Sequence, residues 1–179
     1  MAFNLYGYAL HSNPILPAIE AYLACGFVVH VAAAMWLTKK DRKYTSFERA
    51  QLAISGTFLG TFLAVHLSDF RFGGFNKTVR QALPAVFGVT EPVEVKDIYS
   101  LTIQLFSNEW KCVIYTLGVL ALGLHLSAGW NKLVAKPAFG LDSKFTKPAM
   151  VIGQFLTFAV VATFAVLPAW CYFVLRPVN

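Results

Sequence analysis

The chain has 179 residues, of which 57% are hydrophobic and 13% charged, with a mean hydropathy of +0.58. Soluble domains carry about a quarter charged residues, so the composition argues against a soluble globular enzyme, and 16 Phe, 7 Tyr and 4 Trp argue against disorder. The balance of 15 Lys+Arg against 9 Asp+Glu gives a formal charge of +6, but the basic residues fall between apolar runs, a pattern of membrane topology rather than of a nucleic-acid-binding face.

The N-terminal segment, with His11, is polar and has neither a basic n-region with a cleavage site nor an Arg-rich transit pattern. A first apolar span is expected from about Ile15 to Leu37, with Pro17 tolerated in its first turn. A second runs from about Ala50 to Phe70, a third from about Trp110 to Asn131 and a fourth from about Ala149 to Leu175, where Pro168 predicts a kink. Each run supplies the ~20 apolar residues that a helix needs to cross ~30 Å of hydrocarbon. The runs are continuous and too long for barrel strands, so helices are expected. Between the second and third spans, Arg71 to Glu109 is rich at first in Gly and Pro. Its end, Val95 to Phe106, places Ile98, Leu101, Thr102 and Leu105 on one helical stripe and reads as an amphipathic helix lying on the membrane surface. The expected fold is all-α: one membrane-anchor domain over residues 1–179, an integral bundle of four transmembrane helices plus this short interfacial helix. Cys25, Cys112 and Cys171 lie inside apolar runs without paired spacing and read as small buried hydrophobes.

Lys39, Lys40, Arg42, Lys43 and Arg49 in the first connector, with Lys132, Lys136, Lys144 and Lys147 in the third, place nine of the fifteen basic residues on one side, here side B. Side B is therefore expected to be cytoplasmic or matrix-facing, with both termini on the opposite side A.

Ionisable groups inside hydrocarbon are costly and mark functional sites. His30, His66 and His125 lie within spans. His30 is seven residues before Leu37 and His125 six before Asn131, so both lie roughly 10 Å from side B at about 1.5 Å per residue. Their two helices run parallel, which sets the imidazoles level. His66, sixteen residues past Ala50 on the antiparallel helix, lies about 24 Å from side B and cannot share a metal with either. Gly26, Ala33 and Ala34 flank His30 at helical spacing; Ala121, Ala128 and Gly129 flank His125. Both notches leave room for a flat porphyrin, although a close helix–helix contact uses small residues too. His66 has Phe62, Leu63, Asp69 and Phe70 around it instead. Ligation by two imidazoles saturates a haem iron and confines its chemistry to one-electron transfer. Lys132, two turns past His125, and Lys136 are candidates to meet haem propionates, or are ordinary positive-inside charges. Two imidazoles without a third ligand make an incomplete zinc site.

The stretches FNLYGYALHSNPILPAIEAYLACGFVVHVAAAMWLTKKDR, GTFLGTFLAVHLSDFRFG, IYSLTIQLFSNEW and LGVLALGLHLSAGWNKL resemble the cytochrome b membrane anchor of succinate dehydrogenase/fumarate reductase, respiratory complex II, of the two-haem Bacillus-like type. The likeness covers nearly the whole chain in order. In that family the first four of five helices each carry a haem ligand. The spans here resemble helices two to five. The resemblance therefore implies that His30 and His125 are the axial pair of the haem near the iron–sulfur subunit, cradled by Gly26 and Gly129. It makes His66 a ligand of the far haem, whose partner histidine would come from a small subunit supplying the first helix. The alternative is that the far haem is lost, which the crowded face of His66 favours.

The resemblance further implies a haem b anchor in an energy-transducing inner membrane, mitochondrial or bacterial, with termini on the intermembrane or periplasmic side. Iron–sulfur and flavoprotein subunits would dock on side B and pass electrons through the respiratory chain to a membrane quinone. No flavin, nucleotide or Cys-cluster motif is present, so the chain is expected to be a non-catalytic electron-transport subunit. Trp36, Trp130 and Asn131 either line a quinone pocket or belong to the aromatic belt. Glu20 is either a proton-relay group or a hydrogen-bonding partner of a neighbouring helix, and Asp69 is expected to pair with Arg71. The rival from another class is a haem-free structural anchor or assembly subunit. A small transporter would instead show paired broken helices or an inverted repeat, and neither is visible.

Overall fold

The structure is a computed structural model; it describes residues 2–40, 46–73, 77–82, 91–134 and 143–175. In chain order the elements are α1 (Ala2–His11), α2 (Leu16–Lys40), α3 (Ser46–Phe70), β1 (Thr78–Gln81), β2 (Val93–Lys96), α4 (Ile98–Phe106), α5 (Glu109–Val134) and α6 (Ser143–Trp170), which runs into a π-helical turn at Cys171–Leu175. The chain is an all-α, multi-pass membrane protein. Its four spans, Leu16–Leu37, Arg49–Phe70, Glu109–Val134 and Lys144–Leu175, are long and apolar enough to cross a bilayer. Their large apolar side chains point outward, Tyr22 and Val28 on α2 and Phe155 and Phe158 on α6 among them. Water would penalise that surface, and lipid accommodates it.

Local chemistry sets the ends of these helices. Asn13 accepts the Ile15 N–H at 2.9 Å ahead of α2, and Asn108 accepts those of Trp110 and Lys111 at 3.0 and 3.3 Å ahead of α5. Both satisfy donors that a helix start leaves open. The last span covers 32 residues, about 48 Å at 1.5 Å per residue, which exceeds the hydrocarbon thickness. Helical backbone continues through Pro168, and the ladder widens to the π form immediately beyond it. The ring removes one donor from the ladder, and a π turn is a common accommodation of such a break.

Two compact units are distinguished: Met1–Tyr44 with Gly74–Thr102, and Thr45–Gly73 with Ile103–Asn179. In the first, β1 and β2 form an antiparallel ribbon, with Thr78 opposite Lys96 and Gln81 opposite Val93, and α1 packs on β2. Neither α1 nor the ribbon is anticipated by the sequence. The strands have four residues each and lack a two-residue turn signal, and α1 turns Asn4 and Gly7 inward instead of an apolar stripe. The expected amphipathic helix is present as α4. Leu101 and Thr102 of its stripe are buried inside the protein rather than offered to a membrane surface.

In the second unit α5 packs between α3 and α6. Its dense core lies toward side A, where Phe106, Tyr115 and Cys171 are buried and Phe62, Phe70 and Leu175 pack around them. Tyr115 meets Phe62, Phe70 and Phe106 edge-on, at ring separations of 5.2, 6.1 and 5.0 Å, the arrangement that aromatic quadrupoles favour. The Tyr172 hydroxyl donates to Glu109 Oε1 at 2.7 Å, pinning the π turn to the start of α5. Of the three cysteines only Cys171 is buried; Cys112 is half-buried and Cys25 is exposed on α2, contrary to its expected burial. An apolar run facing lipid does not bury its small residues in protein.

Candidate functional site

A polar seam runs between α3 and α5 toward side B. Gln51 and Ser55 stand one turn apart on α3; His125, Ala128 and Lys132 follow one stripe of α5. Ser55 is buried. Its hydroxyl donates to the Gln51 carbonyl at 2.7 Å, and its oxygen lies 3.1 Å from His125 Nδ1. With the hydroxyl proton committed to Gln51, Ser55 Oγ is the acceptor and His125 Nδ1–H the donor. That tautomer puts the imidazole lone pair on Nε2. Gly56 lets α3 approach the ring: a Cβ there would stand 3.3 Å from His125 Cε1. On the other flank of His125, a Cβ at Gly129 would meet nothing within 4 Å.

One turn closer to side B the seam opens into a pocket of about 250 Å³ lined by Gln51, Ser127, Ala128, Asn131 and Lys132. The Lys132 ammonium is shielded from solvent. Gln154 on α6 organises the far wall. It accepts from the Ser127 hydroxyl at 2.7 Å and donates to the Ser127 carbonyl and to Asn131 Oδ1 at 3.2 and 3.0 Å. Trp130 donates through Nε1 to the Ala149 carbonyl at 2.9 Å, its indole lying where a side chain at Gly153 would otherwise go. The amides of Gln51 and Asn131 and the Lys132 ammonium line this pocket at the side-B end of the bundle, donors suited to a group bearing oxygen acceptors.

His66 has different surroundings, toward side A. Its ring stands 6.1 Å from Phe62, 5.1 Å from Phe70 and 5.9 Å from Tyr115. One turn away, Asp69 accepts from Lys111 Nζ at 2.7 and 2.8 Å and from the Tyr115 hydroxyl at 3.0 Å. The expected Asp69–Arg71 pair is therefore replaced by an interhelical one, and the Arg71 guanidinium lies 5.9 Å above the Phe72 ring. Arg71 lies past the end of α3, and the cation that reaches Asp69 is Lys111 of α5.

The structure thus brings His125, Lys132, Trp130 and Asn131 to one end of the second unit. His30, with Gly26, Glu20 and Trp36, is on α2 in the first unit; a Cβ at Gly26 would meet nothing within 4 Å. Lys136 lies outside the described residues. His11 ends α1, its Nδ1 2.8 Å from the Gly7 carbonyl. Gln51, Ser55, Ser127 and Gln154 were not singled out from the sequence. Their signal was available, since each is a polar residue inside an apolar span at the depth of His125 or nearer side B. No known family, curated protein or solved structure matches the chain.

Proposed function

We propose that this chain is a haem b-binding membrane anchor of a succinate:quinone oxidoreductase, respiratory complex II, residing in an energy-transducing inner membrane with side B toward the cytoplasm or matrix. The observation that carries this reading is the Ser55–His125 hydrogen bond. Iron-ligating histidines characteristically give their second ring N–H to a fixed acceptor, which sets both tautomer and ring orientation. The open flanks at Gly129 and Gly26 fit the edge of a macrocycle, and imidazole is a fitting donor for its iron. When bound, haem b held by two imidazoles has no open coordination position and supplies one-electron transfer.

Each residue then has a definable task. His125 and His30 would hold the haem iron, Ser55 would keep His125 in its ligating tautomer, and Gly26 and Gly129 would leave space beside the rings. Lys132 would offer its ammonium to a haem carboxylate, with Lys136, four residues further along the sequence, as a second candidate. Gln51 and Asn131 offer amide N–H donors to a quinone carbonyl, and Trp36 and Trp130 supply its rim. The iron–sulfur and flavoprotein subunits dock on basic side B, and succinate oxidation belongs to them. His66, packed among aromatic rings, takes no part in holding this haem.

A second reading is favoured by the same bond. Ser55 satisfies His125 without any cofactor, as a haem-free structural anchor requires. Purification from native membranes separates the two. A pyridine haemochrome signal, a b-type band in the reduced-minus-oxidised spectrum and co-purifying flavin and iron–sulfur subunits are expected. The same partners without the b-type band would select the haem-free anchor, and neither partners nor band would overturn both readings.

A further inference from the structure

Helix α1 has its amphipathicity turned inside out. Asn4 is 5% exposed, whereas Phe3, Tyr6 and Leu10 are 45%, 66% and 40% exposed. These three follow i, i+3, i+7 spacing and so share one face. The neighbouring face, Asn4 and Gly7, is clamped to the protein. The Asn4 amide donates to Asp97 Oδ1 at 3.1 Å and its carbonyl oxygen accepts the Tyr99 N–H at 2.9 Å. Gly7 sits against the Ile98 side chain, whose terminal methyl a Cβ would have to displace. A helix in water buries its large apolar residues and exposes its amide. This one does the reverse, and two hydrogen bonds hold it in that orientation.

We infer that α1 is an interfacial helix that beds Phe3, Tyr6 and Leu10 in the boundary between lipid headgroups and acyl chains at the side-A end of α2. The chain itself supplies the placement. Four residues separate His11 from Leu16, where the first span begins, and they are folded into consecutive turns by Ser12 N–H to Tyr8 C=O, Asn13 N–H to Leu10 C=O and Leu16 N–H to Asn13 C=O bonds. Folded in this way, the link keeps α1 directly beside the side-A end of α2. An aromatic and aliphatic face with a tyrosine hydroxyl at its edge is the composition that settles at that depth. Tyr99, whose backbone N–H Asn4 holds, adds a third exposed aromatic, at the start of α4.

The test is spin labelling of the full chain in vesicles of phosphatidylcholine and phosphatidylglycerol. Single labels are placed at Phe3→Cys, Tyr6→Cys, Leu10→Cys and, as the aqueous control, Ser12→Cys, in a background carrying Cys25→Ala, Cys112→Ala and Cys171→Ala. Labels at positions 3, 6 and 10 are expected to show an oxygen-to-nickel-chelate accessibility ratio several-fold above that at Ser12. A ratio equal to that of Ser12 places the face in water and overturns the inference. Exclusion of both quenchers places it against protein and overturns it too. Should the cysteine-free chain fail to fold, the unmodified protein labelled with a lipid-soluble carbene probe gives the same decision. Adducts within residues 2–11 are expected, and a segment without adducts contradicts the assignment. The inference needs only the membrane spans, so its failure would leave the haem reading standing.

Discussion

Ser55 on α3 gives its proton to the Gln51 carbonyl and receives the Nδ1–H of His125 from α5, at 2.7 and 3.1 Å. The bond joins two helices and fixes a tautomer in one contact. Ser55→Ala removes the acceptor while leaving a small side chain at a closely packed crossing. Loss of such an outer partner typically lowers metal affinity about 10–100-fold. Haem titration of the purified variant is expected to show a drop of that order, and Ser55→Thr is expected to restore most of it. Unchanged affinity in Ser55→Ala would mean that the bond serves only the helix crossing.

The Asp69–Lys111 pair, with Tyr115 as a third member, sits in the densest part of the bundle. Removing only one partner strands the other charge. Asp69→Ala is expected to destabilise by about 1–3 kcal/mol, read as a lower thermal midpoint in detergent. Asp69→Asn combined with Lys111→Met leaves no unmatched charge and is expected to cost less than the sum of the single changes.

Asp97 ties α1, β1 and α4 together. It accepts from Asn4 and from the Ser100 N–H, both at 3.1 Å, and stands 3.7 Å from Lys77. Burial pushes its carboxyl up, but the hydrogen bonds from Ser100 and Asn4 and the Lys77 ammonium outweigh that and hold it below the usual aspartate value. A depressed folded-state value contributes stability that is fully present above the unfolded value of about 3.9 and is lost as pH falls through the folded one. Hydrogen exchange in residues 2–11 is therefore expected to stay flat from neutral pH down to about 4, after correction for the intrinsic rate, and to rise below it. Asn4→Ala, which strips two bonds from buried partners, is expected to raise exchange there at every pH.

Gly153 accommodates the Trp130 indole, whose N–H reaches the Ala149 carbonyl. A ring cannot fold away as a flexible chain end does, so Gly153→Ala displaces Trp130 and breaks that bond. The expected cost is about 1–3 kcal/mol, with a red shift and loss of intensity in the tryptophan emission that Gly153→Ser would share. A silent Gly153→Ala would show that α5 and α6 can part without penalty.

How much of this was legible in the sequence follows from the physics of each feature. The spans were, because hydrocarbon forces some twenty apolar residues in a row, and α2 and α3 end within a few residues of the expected limits. The small residues around His125 were legible from helical spacing. Ser55 was not singled out, because pairing it with His125 requires knowing that α3 and α5 are neighbours. Arg71 is the cation nearest to Asp69 along the chain, but it lies past the end of α3, and the cation that reaches Asp69 is Lys111 of α5. Helix α1 stayed hidden because its inward residues are Asn4 and Gly7, the reverse of the pattern by which helices are found.

The most direct measurement of the central claim compares reduced-minus-oxidised spectra of His30→Ala, His125→Ala, His66→Ala and His11→Ala, each purified with its partner subunits. The account predicts that the first two lose the b-type band of the near haem while His66→Ala and His11→Ala retain it. Equal loss from His30, His125 and His66 variants, or retention of the band in His125→Ala, would contradict it.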